Sequence, residues 1–154
     1  MCFFATEDDL NGVCVAFCGG TPLAPVCEDP DAVCAIANEG VLNICLPGCD
    51  PLLQDCPDNA GCYPVNDNFV CATDGSDEGG GEFEECAFIN GCQPGLACLA
   101  QELVPGCATF GCCSPFCDLM VLDPCNGGTE CTPWYEKGMA PPGDDDIGVC
   151  SLPM

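Results

Sequence analysis

Apolar and polar positions alternate along Val41-Leu42-Asn43-Ile44-Cys45, the two-residue period of a half-buried strand. Two further apolar runs, Tyr63-Pro64-Val65 and Phe69-Val70-Cys71, flank Asn66-Asp67-Asn68, whose short polar side chains tolerate left-handed backbone angles. This arrangement predicts a β-hairpin. It returns near the C-terminus with a much longer tip, residues 134–146, which contains Gly138, Pro141-Pro142 and Gly143. The helical period is weak. One short helical turn is expected over residues 30–37, and no helix longer than about two turns. No apolar stretch is long enough to span a bilayer, so membrane insertion is not expected.

Composition changes this picture in one respect. The chain has 154 residues, and its 48% hydrophobic content includes twenty cysteines. Nineteen glycines and fifteen prolines interrupt what remains. A continuous core of ordinary size is therefore not expected, and cross-links worth about 2–4 kcal/mol each must take its place. Cysteine above about 8–10% marks a disulfide scaffold. The closest spacings are Cys14/Cys18, Cys45/Cys49, Cys113/Cys117 and the adjacent Cys112-Cys113; the Cys-x2-Cys knuckle of zinc sites does not occur. Disulfides are expected at all of Cys2, Cys14, Cys18, Cys27, Cys34, Cys45, Cys49, Cys56, Cys62, Cys71, Cys86, Cys92, Cys98, Cys107, Cys112, Cys113, Cys117, Cys125, Cys131 and Cys150. Such bonds persist in oxidising surroundings, which predicts an extracellular or cell-surface protein. The start, Met1-Cys2-Phe3-Phe4-Ala5-Thr6-Glu7, has no basic or long apolar leader, so export is expected to rest on a segment upstream of this chain.

The net charge of −24, with a single Lys or Arg and no His, removes several functions. Nucleic acid is excluded as a partner because its phosphates need several cations. An anionic membrane surface is excluded for the same reason. Acyl-transfer triads need a base that is usually His. The phosphate-binding Gly-rich loop with its Lys is absent, as is the Cys-x2-Cys of redox enzymes. No catalysis is expected.

The cysteine spacing divides the chain into a first repeat over 1–71, an acidic Gly-rich linker over 72–85 and a second repeat over 86–154. Cys45-x3-Cys49-Asp50, Cys56, Cys62-Tyr63-Pro64 and Val70-Cys71 line up with Cys113-x3-Cys117-Asp118, Cys125, Cys131-Thr132-Pro133 and Val149-Cys150. The expected fold is small, disulfide-rich and mostly irregular, with short β-hairpins and little helix, in two tandem cystine-stapled repeats. Spacing alone leaves many connectivities open. Matching bonds in the two repeats are expected, with Cys49–Cys62 and Cys56–Cys71 mirrored by Cys117–Cys131 and Cys125–Cys150.

Two sets of residues are candidates for binding. The apolar set is Leu52-Leu53 and the tip residues Trp134, Tyr135 and Met139; Trp and Tyr join a large apolar face to a polar edge. Trp134 either fills a small core beside cystines or stands exposed to stack on a glycan, enter a protein groove or drive self-association. The acidic set is Asp144-Asp145-Asp146, Asn66-Asp67-Asn68, and Glu28-Asp29 with Asp31. These could take Ca2+, which wants six to eight oxygens, or could simply be solvated loops; none follows an EF-hand spacing. No cofactor is required.

Three segments carry a resemblance: Ile36-Ala37-Asn38-Glu39-Gly40-Val41-Leu42 with Cys45-Leu46-Pro47; Cys49-Asp50-Pro51-Leu52-Leu53-Gln54-Asp55-Cys56-Pro57 through Cys62-Tyr63-Pro64; and Gly111-Cys112-Cys113-Ser114-Pro115-Phe116-Cys117-Asp118-Leu119. Together with Pro133-Trp134-Tyr135-Glu136 and Val149-Cys150, they make the chain similar to secreted Cys-rich proteins of myxobacteria and related bacteria. The resemblance implies a leader and a further Cys-rich stretch upstream. Members of that family often carry the label ribulose-phosphate 3-epimerase. The residues argue against it here. The epimerase barrel needs about 200 residues or more, its histidine metal ligands have no counterpart in a chain without His, and a sugar phosphate would meet a −24 field with Lys137 as the one cation. The expected role is an extracellular disulfide-stapled structural or interaction module, as in a self-assembled surface layer or filament. The alternative is a secreted binding protein for a sugar, a protein or Ca2+, using the acidic loops and the Trp134-Tyr135 tip.

Overall fold

The computed structural model describes residues 2–3, 13–21, 23–37 and 42–153. Its regular structure is almost entirely short antiparallel strands: β1 (Cys2–Phe3), β2 (Val13–Cys14), β3 (Gly19–Thr21), β4 (Ala24–Val26), β5 (Ala32–Ala37), β6 (Leu42–Pro47), β7 (Ala60–Val65), β8 (Asn68–Thr73), β9 (Leu96–Ala100), β10 (Gly111–Asp118), β11 (Glu130–Pro133) and β12 (Ile147–Ser151). Among the described residues, helix is confined to 3-10 turns at Ile89–Gly91 and Gln101–Leu103. Among the described residues, no helix is long and apolar enough to cross a membrane.

The organising unit is a hairpin pinned by two crossed cystines. It occurs four times, as Cys18–Cys34 with Cys27–Cys45, Cys49–Cys62 with Cys56–Cys71, Cys86–Cys98 with Cys92–Cys113, and Cys117–Cys131 with Cys125–Cys150. In every unit the first cysteine bonds the third and the second bonds the fourth. The third and fourth cysteines always face each other across an antiparallel pair: Cys34↔Cys45, Cys62↔Cys71, Cys98↔Cys113 and Cys131↔Cys150. They do not bond each other. Each reaches back to the segment before the hairpin, so both strands are fastened to the same preceding loop. The four bonds expected from the repeat are among these. Cα separations of 5.5–6.0 Å in these units match ordinary disulfide geometry. The paired cystines also pack on one another, with the Cys18 and Cys45 sulfurs 3.8 Å apart. Cys62, Cys92, Cys112, Cys113 and Cys150 are fully buried, so sulfur occupies the place that aliphatic side chains fill elsewhere.

A ninth bridge, Cys107–Cys112, lies within the third unit. Cys14 is disulfide-bonded too, and Cys2 opposes it in register. The bridge expected at Cys2 concerns a side chain outside the described residues. None of the described cysteines is free.

Units join in pairs through Cys45-x3-Cys49 and Cys113-x3-Cys117, because one strand serves both neighbours. β10 pairs with β9 from Gly111 to Pro115 and then with β12 from Phe116 to Asp118, giving the sheet order β11-β12-β10-β9. In the first pair, β6 pairs with β5 and the path continues only as an isolated bridge, Gly48↔Val70. Both joints carry a Pro two residues after the shared cysteine, Pro47 and Pro115, but Gly48 stands where the second joint has Phe116. Glycine weakens a strand, and a side chain there would sit 3.0 Å from the Asp31 carbonyl oxygen.

The helical turn expected over 30–37 is a strand instead. Its turn ends where Ala32 N–H meets the Asp29 carbonyl oxygen, and β5 then pairs with β6 from Ala32↔Pro47 to Ala37↔Leu42. Cys34 has to lie beside Cys45 so that both can reach Cys18 and Cys27, and β-branched Val33 and Ile36 suit the extended form. The hairpin expected at Tyr63–Cys71 is β7–β8, closed between Val65 and Asn68, with Asn66 at φ 55°.

Segment 72–85 is bonded to both sides. Asp74 N–H meets the Asn59 carbonyl, Gly75 N–H the Asn90 carbonyl, and Phe83 N–H the Cys113 carbonyl. Gly80, at φ 69°, passes so close to Gly91 that a Cβ would collide with its carbonyl oxygen. Phe83 packs against the core of Ala97, Leu99, Val104, Cys112 and Val149. The segment expected as an acidic Gly-rich linker is thus hydrogen-bonded to both repeats, with Ser76 and Gly80 buried and its acidic side chains mostly exposed.

Loop-closure entropy ranks the bridges. Cys107–Cys112 closes a separation of 5 and Cys125–Cys150 one of 25. Replacing both cysteines by Ser should cost about 2 kcal/mol for the first and about 3.5 kcal/mol for the second. Guanidinium unfolding under non-reducing conditions measures both, and the opposite ranking would show that chain entropy does not set their contributions.

Candidate functional site

The two repeats meet in an aromatic seam. Phe69 on β8 is buried against Phe116 on β10 and against Trp134 and Tyr135 beyond β11, with centroid distances of 5.4, 5.6 and 6.3 Å. Trp134 closes the set onto Phe116 at 5.5 Å. Edge-on and tilted ring pairs of this kind add about 0.5–1.5 kcal/mol each beyond area burial. Hydrogen bonds cross the seam as well. The buried Tyr63 hydroxyl donates to the Cys92 carbonyl at 2.9 Å, and the Tyr135 hydroxyl donates to the Asp67 carbonyl at 3.1 Å.

Above the seam, the tip 134–146 walls a cavity of about 340 Å3 lined by Leu119, Tyr135, Lys137, Asp144, Asp145 and Ile147, among others. Burial, together with the charges of Asp144 and Asp67, pushes the Tyr135 hydroxyl up to about 12. Burial and the charge of Asp50, helped by Asp146 and Asp145, hold the Asp144 carboxyl above the usual range, and its hydrogen bond with Tyr135 opposes this. Asp74 goes the other way: burial raises it, but hydrogen bonds from Ser76 and Tyr63 together outweigh burial. A second cavity of about 260 Å3, also lined by Leu119, lies against Val121, Leu122, Asp123 and Glu130.

The residues singled out in the sequence divide accordingly. Trp134 and Tyr135 are half-buried in the seam, so the tip presents Met139, which is 70% exposed, and not the indole. Leu52 is half-buried against the Phe69 cluster, while Leu53 is 72% exposed. Asp144 and Asp145 line the first cavity, and the Asp146 carbonyl accepts the Leu119 N–H. Asn66 and Asp67 form the β7–β8 turn, and Glu28, Asp29 and Asp31 are exposed. Among the described residues, the groups of three potential metal ligands within 4.8 Å are all cysteines, and those sulfurs are spent in disulfides. Asp144, Asp145 and Asp146 do not form such a group.

One apolar loop was not among the candidates drawn from the sequence. Asp118 accepts the Met120 N–H on its carboxylate at 2.7 Å and the Val121 N–H on its carbonyl at 3.1 Å, which leaves Met120, Val121 and Leu122 exposed. Asp50 does the same for its own loop, accepting the Leu52 N–H on its carboxylate at 2.8 Å and the Gln54 N–H on its carbonyl at 2.9 Å. The signal was present in the shared Cys-Asp pair: the apolar loop after Cys49-Asp50 has its counterpart after Cys117-Asp118.

No family model matches the chain, and neither do any curated proteins or solved structures.

Phe69→Ala should cost about 3–5 kcal/mol, the range for truncating a buried aromatic, and should open segment 72–85 to a protease that leaves the wild type intact. Retained stability and an uncut segment would remove the seam as the joint between repeats. Asp144 holds its proton more tightly when folded. Its contribution is therefore full below the ordinary value of 3.8 and is lost as pH rises past the raised value. Asp144→Asn should melt above the wild type near neutral pH, and the gap should close on acidification. Parallel melting curves across that range would contradict a carboxyl raised by burial and by the neighbouring acids.

Proposed function

We propose that the chain is an extracellular, cystine-stapled interaction module, a rigid carrier that holds protruding loops for contact with other surface components and turns over no substrate. The observation that carries this reading is the fourfold recurrence of the crossed cystine hairpin, in which a loop is held at both ends by disulfides. A carrier of this kind keeps its shape with little apolar core, which suits an oxidising and proteolytic setting. The chemistry available also favours binding over turnover: no histidine is present, and Lys137 is the one cation. Resemblance to secreted Cys-rich bacterial proteins points in the same direction. The uncompensated charge opposes packing of copies against one another, which favours a partner of different chemistry over a filament of this chain alone.

Expression behind an export leader tests the reading. The secreted chain should titrate no thiol after denaturation. It should resist a broad-specificity protease until reductant is added, and it should sediment as a monomer. Titratable thiols at most positions, or zinc released on denaturation, would overturn it.

A further inference from the structure

One structural position, the segment between the first and second cysteine of each crossed unit, carries exposed apolar side chains in all four units. They are Leu23 at 99% exposure in the first, Leu53 in the second, Phe88 at 74% with Ile89 in the third, and Met120, Val121 and Leu122, the last at 89%, in the fourth. A single exposed leucine needs no explanation. Recurrence at one place in every unit does, because these segments differ in length and sequence, and only the second and fourth share the Cys-Asp turn. Contiguous exposed apolar surface commonly marks an interaction site.

The fourth unit is the most developed. Its three apolar residues are consecutive, and the Asp118 carboxylate and the Leu119–Asp146 hydrogen bond hold their backbone. Two cavities share Leu119 in their linings; Val121 and Leu122 line the second, and the first is within the size range of ligand pockets. Met139 is exposed in the segment that walls the first cavity. The rims are mainly acidic, with Glu136, Asp144 and Asp145 against the single Lys137 on the first and Asp123 and Glu130 on the second.

We propose that this surface docks a basic amphipathic segment of another protein, with its apolar side chains over Met120–Leu122 and in the two cavities and its Lys or Arg residues against the acidic rims. The charge pattern selects this occupant. A second copy would bring a further −24 against the same rims. The proposal rests on the interaction-module reading and gives it a partner class.

The test is titration of the full oxidised chain with a synthetic peptide of alternating Leu and Lys, at physiological salt, by isothermal calorimetry. A Ser/Lys peptide of equal charge is the control. The Leu/Lys peptide should bind, and the M120S/V121S/L122S variant, whose charge is unchanged, should bind at least about tenfold more weakly. Leu53→Ser, in the corresponding loop of the second unit, should change affinity less than about twofold. Equal binding by the triple variant, or by the Ser/Lys peptide, would reduce the effect to bulk charge and overturn the proposal. Concentration-dependent dimers lost in the triple variant would overturn it in favour of a second copy. A chain that binds no peptide yet keeps its protease resistance and its bridges would sink this surface while leaving the stapled-module reading standing.

Discussion

In each unit, two cysteines stand opposite each other on neighbouring strands, and each is committed to a partner in the loop that precedes them. This arrangement sets both the register of the hairpin and the position of the loop. A slip of one residue would turn the cysteines to the other face of the strand and break two covalent bonds together. With glycine and proline frequent and aliphatic residues few, register cannot be specified by a continuous apolar face. The cystines specify it, and their buried sulfurs supply much of the interior. The other features are consequences: strands can be short, loops can be long and acidic, and apolar side chains can stay exposed without collapse of the fold.

Between the repeats, two opposing interactions meet. Phe69, Phe116, Trp134 and Tyr135 gain by burial, while Asp50, Asp144 and their neighbours are brought close enough for their charges to repel. The aromatic contacts are close and sheltered, whereas the carboxylates are largely solvated, so screening weakens their repulsion far more than it weakens the packing. The upward displacement of Asp144 comes first from its burial and then from the charges of Asp50, Asp146 and Asp145. Away from the seam, Asp123 and Glu130 line a cavity together with Val121 and Leu122 of the apolar loop. A surface with that pairing of chemistries is suited to a cationic amphipathic partner.

Several local features could be read directly. The hairpin around Asn66-Asp67 is announced by turn residues between apolar runs, and the strand read over Val41–Cys45 corresponds to Leu42–Pro47. The Cys-Asp and Cys-x3-Cys pairs exposed the correspondence of the second and fourth units, and hence that their bonds should match, while spacing left the connectivity itself open. The first and third units were harder to see. Cys107 and Cys112 are inserted into the third, and the first-to-third cysteine separations run from 12 to 16 across the set, so a common unit is hidden until the bonds are drawn. Residues 30–37 suggested a helical turn because their local preferences are weak, and a cross-strand cysteine then decided the matter.

Composition and spacing by themselves determined that this is an oxidised, strongly acidic, cystine-held protein with little helix, because each of those properties is carried by residue type and local order. Tertiary structure alone decided that Trp134 lies in a seam, that the Gly-rich segment is hydrogen-bonded to both repeats, and which loops protrude. Those outcomes depend on contacts between residues far apart in the chain, where burial and covalent closure outweigh anything a short segment prefers.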